Sequence, residues 1–406
     1  MKLSQGVRIS LLSSLTLVLA NAHASTEDNW KLFLKNAYIE RDFDNPVVKN
    51  NGSWSQGVSL FYYSDFNETP IDGLNIGLDG SVQYAIRLSN DKHVADSVLP
   101  FDVEKQQQAH DFLKYGATLK LNYDQTTLRV GELWLDLPVT SVDASRQLMT
   151  SYLGANLNTT INDNVTLEVG HVTKNSPRNE EGFHKFSYTK NGVKHVSDGL
   201  TYLDTRFKIN ENLKGEYYFG YLDNIYSKHY LGLDHSFKWD DLHFNTKLKY
   251  FNAKDAGSNV NIDSQNIGIM ETVKYNNHSF GLGYQKIVGD AYPLPDGYLP
   301  EVYFVNWNVT GFFKANEQSY HAIYGYNFKD YIPGLNTVAK YSYGEDIETA
   351  TDKDNSESEL NLIAIYNFQH PKLKGLSMQY LYVDYNIDQG NDFDENRFFV
   401  MYTKKF

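Results

Sequence analysis

Twelve histidines and a good supply of serine and aspartate would permit a hydrolytic triad, yet the chain contains no G-x-S-x-G nucleophile turn and no H-E-x-x-H zinc helix. It has no cysteine either, and so no thiolate for catalysis or metal binding. What remains is a set of cations on alternating segments: Lys114 and Lys120, Arg129, Arg206 and Lys208, Lys247 and Lys249, Lys340 and Arg397. In an extended chain side chains project with period two, so each of these falls on the polar face of its segment. Fixed positive charge of this kind breaks no bond. In a narrow water-filled passage it focuses a field that raises the local concentration of anions. The plainer reading is that such a lysine is only a solvated lining residue. Asp143 and Arg146 add an acid and a guanidinium in a stretch, Leu135 to Thr150, that interrupts the alternation. Projected into a narrowing they would orient a dipolar solute; alternatively they pair with each other and merely hold a loop.

The segments that carry these residues read as long strands. In Leu74 to Leu88, the residues Leu74, Ile76, Leu78, Val82, Tyr84, Ile86 and Leu88 share one face, while Asn75, Asp79, Ser81, Gln83 and Arg87 share the other. Soluble sandwich strands average five or six residues, whereas a tilted strand that crosses hydrocarbon needs about 9 to 11. Counting such segments from Trp30 to the C-terminus gives about eighteen, an even number in the range of single-chain barrels. Connections alternate between short turns rich in Asn, Asp, Gly and Pro, such as Asn276-Asn277, and long loops such as Asn175 to Asp198 and Val288 to Glu317. Loops sorted by length in this way fit an all-β transmembrane antiparallel barrel, not a two-sheet sandwich. The last strand ends on Phe406, with Phe398, Val400 and Tyr402 on the same side, as a closing strand with a lipid-facing aromatic would.

Bulk composition agrees. Mean hydropathy is -0.50, and beyond the N-terminus nothing is apolar enough for a membrane helix, so a membrane crossing must use strands in a closed barrel. Tyr (31) and Phe (23) far outnumber Trp (5); tyrosine, an apolar ring with a polar tip, suits the membrane-water boundary. The formal net charge of -13 argues against a nucleic-acid partner. The acid-rich run Glu345 to Glu359 reads as a solvated loop. Lys2 and Arg8, an apolar run from Ile9 to Ala20, and Ala22-His23-Ala24 form a secretory signal peptide, residues 1–24, with Ser25 as the first mature residue. Residues 25–406 then form one barrel domain that needs no cofactor or metal.

Three ordered blocks carry a family resemblance. The first is Leu128-Arg129-Val130-Gly131, Leu137-Pro138-Val139 and Ser141-Val142-Asp143 with Arg146 and Leu148. The second runs from Tyr284-Gln285 and Gly289-Asp290 through Glu317 to Tyr320, Tyr324 to Phe328 and Ile332 to Leu335, ending at Ala339-Lys340-Tyr341. The third is Leu373 to Ser377. In order and spacing the chain resembles the OprD family of substrate-specific outer-membrane porins, chitoporin-like members included. The resemblance implies a monomeric barrel in the outer membrane of a Gram-negative bacterium, in contact with lipids and lipopolysaccharide. Its third and seventh loops would constrict it, and it would pass small solutes, carboxylates or amino acids foremost, along a ladder of inward Arg and Lys. Arg129 and Lys340 lie inside matching motifs. Met378 and Gln379 depart from the family pattern, in which a basic residue commonly follows L-S, and this shortens the ladder. Chito-oligosaccharide uptake is the alternative within transport; an outer-membrane barrel hydrolase is the alternative outside it.

Overall fold

The computed structural model describes residues 29–257, 260–295, 305, 307–349 and 354–406; the expected signal peptide lies outside them. Eighteen long strands form the wall. They are β1 (Trp30–Phe43), β2 (Asn51–Tyr63), β3 (Leu74–Arg87), β4 (Asp111–Tyr123), β5 (Thr126–Leu133), β6 (Ser151–Asn162), β7 (Val165–Ser176), β8 (Leu200–Lys208) and β9 (Leu213–Leu222). They continue as β10 (Tyr226–Trp239), β11 (Leu242–Asp255), β12 (Asp263–Tyr275), β13 (His278–Gly289), β14 (Gln318–Asn327), β15 (Leu335–Ile347), β16 (Asn355–Asn367), β17 (Leu376–Ile387) and β18 (Phe393–Lys405).

Each strand pairs antiparallel with its neighbours in sequence, and β1 also pairs with β18 in an unbroken register from Lys31↔Lys405 to Phe43↔Phe393. That pairing closes the sheet and leaves no edge, as a wall in hydrocarbon requires. Residues directly opposite across a pair share a face, so the register carries the lumen side round the whole wall.

The outer face is apolar between two aromatic belts. Tyr38, Trp54, Tyr84, Tyr115, Tyr320 and Tyr343 stand exposed toward the long-loop end, and Trp30, Tyr123, Trp239, Tyr275 and Phe406 toward the short-turn end. Val58, Leu78, Val82, Leu119, Leu231, Ile267 and Leu282 fill the band between. In the short turns Asp124, Asp240 and Asn276 adopt positive φ of 51°, 53° and 50°, a conformation that Asp and Asn tolerate better than most residues.

Strand boundaries fall within a few residues of those the alternation predicts. The acid-rich run is the exception. Glu345 to Ile347 belong to β15 and Asn355 to Glu359 to β16, where Glu357 and Glu359 lie on the lumen face and are buried. Their spacing of two continues through Asn361, which is the strand period showing through a charged sequence.

A candidate solute channel and its constriction

The long connection between β5 and β6 (residues 134–150, here L3) turns into the lumen because its own apolar residues have somewhere to pack. Leu135, Leu137 and Val139 join a buried cluster with Tyr152, Val172 and Tyr202, and Leu148 packs with Ala37, Ala85 and Phe112. Polar contacts then pin it. Lys35 of β1 donates to the carbonyls of Ala144 at 2.9 Å and Arg146 at 2.6 Å. Lys114 of β4 donates to Met149 O at 2.7 Å, and to Ser176 O and Pro177 O at 3.0 and 2.8 Å. Gln147 donates to Lys35 O at 2.7 Å, in space left by the missing Cβ of Gly57.

The tip of L3 is a charge cluster. Asp143 does not pair with Arg146; its partner is Arg178, from the loop after β7, and the amide of Ser145 donates to it at 2.8 Å. Burial alone would raise the Asp143 carboxyl, but Arg178 and Ser145 hold it below its ordinary value. The expected pairing of Asp143 with Arg146 is therefore replaced: the acid holds the loop, but to a different arginine.

Among the described residues the Arg146 side chain hydrogen-bonds only to Ser145, at 3.3 and 3.4 Å. Burial, and then the nearby Arg397 and Arg178, lower its pKa against the smaller opposing pull of Glu395 and Asp143; the guanidinium still keeps its proton. On the wall beside it Arg397 pairs with Glu395, which also accepts from Arg41 at 2.6 Å. Among the described residues, Arg146 Nε and Arg397 Nη2 are buried and have no hydrogen-bond partner.

The connection between β13 and β14 (290–317, here L7) is fastened on two sides. Lys228 of β10 donates to Pro293 O and lies 4.2 Å from the Tyr292 ring centroid. Lys340 of β15 donates to Asn308 Oδ1 at 2.6 Å under the ring of Trp307, 4.3 Å away. Glu359 accepts from the amides of Val309 and Thr310 at 2.8 and 2.9 Å, and Lys314 pairs with Glu357. Burial, and then the adjoining Glu357, push the Glu317 carboxyl well above its ordinary range. Pro300, Tyr303 and Phe304 of this connection lie outside the described residues.

Such a wall, narrowed by two inward loops, has the plan of a selective pore. Comparison with known proteins decides its kinship: residues 26–406 match the family model for outer membrane porins of the OprD family. The chain belongs to the OprD family. Its fold superposes on the crystal structure of Acinetobacter baumannii OccAB4 with a TM-score of 0.92 and 60% identity, covering 95% of this chain and all of that one. A BenF-like porin from Pseudomonas fluorescens gives a TM-score of 0.89 at 25% identity, over 94% of this chain and 99% of that one. The porin-like protein GalP of Pseudomonas putida is 26% identical over 385 residues, 91% of this chain and 90% of its own length. An OprD-family porin is a channel for small solutes across the outer membrane of a Gram-negative bacterium, not an enzyme, and the barrel-hydrolase alternative is set aside.

Within this porin, the register places all nine wall cations read from the sequence on the lumen face, but in different circumstances. Lys114 is covered by L3, and Lys340 by L7. Lys120 pairs with Asp79 at 2.6 Å, and Arg206 with Glu216 at 2.9 Å and Asp204 at 3.2 Å. Lys208 pairs with Glu211 in a short turn, at 2.6 Å. Arg397 stands in the cluster beside L3. Arg129, opposite Lys120, makes no hydrogen bond or ion pair with a described residue, and neither does Lys247. Lys249 lies two positions along the same strand. Gln379 occupies a buried lumen position on β17. Sequence reasoning passed over Lys35 and Arg41, although the parity of Lys31, Phe33 and Lys35 in β1 carries the same signal. Arg178 and Lys314 are loop residues, for which parity gives none.

Proposed function

We propose that this porin selects small solutes that carry a carboxylate, amino acids included, and lets them diffuse passively to the periplasm. One observation carries the reading: at the waist, Arg146 Nε and Arg397 Nη2 have no hydrogen-bond partner among the described residues, in a cluster where cations outnumber carboxylates. An arriving carboxylate would relieve that surplus with charge-assisted hydrogen bonds. Across the lumen, β7 to β9 carry Glu168, Asp204 and Glu216 beside Tyr202 and Tyr218, and Asp204 Oδ1 is buried without a partner among the described residues. A zwitterion would lie along the line from that wall to the arginines. The outer face, apolar in the band between its aromatic belts, suits a monomer surrounded by lipid and lipopolysaccharide.

The test is R146Q in planar bilayers and proteoliposomes. Because the Arg146 side chain hydrogen-bonds only to Ser145 among the described residues, the substitution leaves the wall's bonds intact. Anion preference should fall by about fivefold, since about 1 kcal/mol is the attraction of two charges near 5 Å in water-like surroundings. Benzoate uptake should slow while benzamide uptake stays the same. If benzoate is unaffected and chito-oligosaccharides block the native pore instead, the carboxylate reading is wrong.

A further inference from the structure

On the short-turn side of the constriction, the wall from β6 to β11 bounds a cavity of about 450 Å³, beneath the point where Arg206 donates to Asp136 O of L3. Inside it, Arg206, Lys214, Lys247 and Lys249 face Glu216 and Asp234. Cross-strand register sets Lys214, Asp234 and Lys247 in one row, and Glu216, Gly232 and Lys249 in the next. Glu216 is taken by Arg206, as described above. The Asp234 carboxylate accepts from Asn245 at 2.7 Å, and neither Lys214 nor Lys247 hydrogen-bonds or ion-pairs with any described residue. Gly232 leaves its lumen position without a side chain, and the Tyr230 ring leans across it, so that a Cβ there would strike the hydroxyl. The chamber is therefore roomy, floored by a tyrosine, and carries two more positive than negative groups.

We propose that this chamber is a second binding station, on the periplasmic side of the waist, for a small dicarboxylate. One carboxylate meets Lys247, the other reaches toward Lys214 or Lys249, and the carbon chain lies over Gly232 and Tyr230. A monoanion leaves half of the surplus uncompensated, so the chamber discriminates by charge number, where the waist discriminates by the presence of a carboxylate. Solute passing the waist pauses here before release, and the attachment is weak because water reaches the site.

The inference rests on the carboxylate reading only for the sign of the solute's charge, and its test separates the two. Succinate, succinamate and succinamide are added to the periplasmic side of single channels in planar bilayers, and blockade residence times are read. Succinate should stay longest in the native pore. K247Q should shorten its residence about fivefold, the upper end of what a solvent-reachable ion pair contributes, and bring it close to that of succinamate. R146Q should preserve the difference between succinate and succinamate. An unchanged succinate residence time in K247Q, or a native pore that holds succinamate as long as succinate, overturns the proposal. If R146Q alone abolishes the blockade from the periplasmic side, a single site serves the pore and the chamber is not a station.

Discussion

Replacing Lys35 with methionine should unlatch the tip of L3 and leave the barrel standing. The ammonium makes two hydrogen bonds, to Ala144 O at 2.9 Å and Arg146 O at 2.6 Å, from a side chain that is almost wholly buried. At about 1.5–3 kcal/mol for each bond from a charged donor, the substitution removes about 3–6 kcal/mol. Because one ammonium makes both bonds, the change at the tip lies at the lower end, about 3 kcal/mol, or on the order of a hundredfold in the ratio of open to docked loop. Methionine keeps the packing over the Phe399 ring, which the ammonium covers at 4.4 Å. The rest of L3 remains held by Gln147, Lys114 and Leu148. Hydrogen exchange should therefore quicken at residues 143–147 and not in β1 or β18, and single-channel current should become noisier with a higher mean. Unchanged exchange at the tip together with unchanged current noise would refute the claim that Lys35 is a latch.

Two further outcomes follow from the same structure. A carboxyl whose pKa is raised in the fold contributes fully below the ordinary carboxylate range, and its contribution is lost as pH rises through the raised value. The root of L7 at Glu317 should accordingly loosen toward alkaline pH, seen as faster exchange at residues 312–317, and E317Q should flatten that dependence; loosening toward acid instead would contradict the assignment. At the seam, Trp30 N donates to Phe406 O at 2.9 Å and Phe406 N to Trp30 O at 3.0 Å. Deleting Phe406 removes both bonds, about 1 kcal/mol each, and should lower the fraction of compact, heat-modifiable monomer on a detergent gel.

The wall was legible in the sequence because a strand between lipid and water writes its two faces into alternate residues, as in Leu74 to Leu88. Parity also shows which face a cation occupies. It cannot show what that cation meets, because the lumen is filled by loops whose paths depend on distant residues. Lys114 and Arg129 look alike in sequence, yet one lies beneath L3, gripping three carbonyls, and the other makes no hydrogen bond or ion pair with a described residue. The same blindness hid Glu357 and Glu359, whose acidic surroundings suggested a solvated loop and whose role is to seat L7. Asp143 found Arg178, a partner 35 positions away, which no local pattern announces.

The latches have a consequence for how such a pore diversifies. Lys35, Lys114 and Lys228 hold main-chain oxygens of Ala144, Arg146, Met149, Ser176, Pro177 and Pro293, and an oxygen of that kind is supplied by every amino acid. Mutation can therefore rewrite the side chains that a solute meets while the loop stays moored, so a lineage can exchange one diet for another without rebuilding the wall.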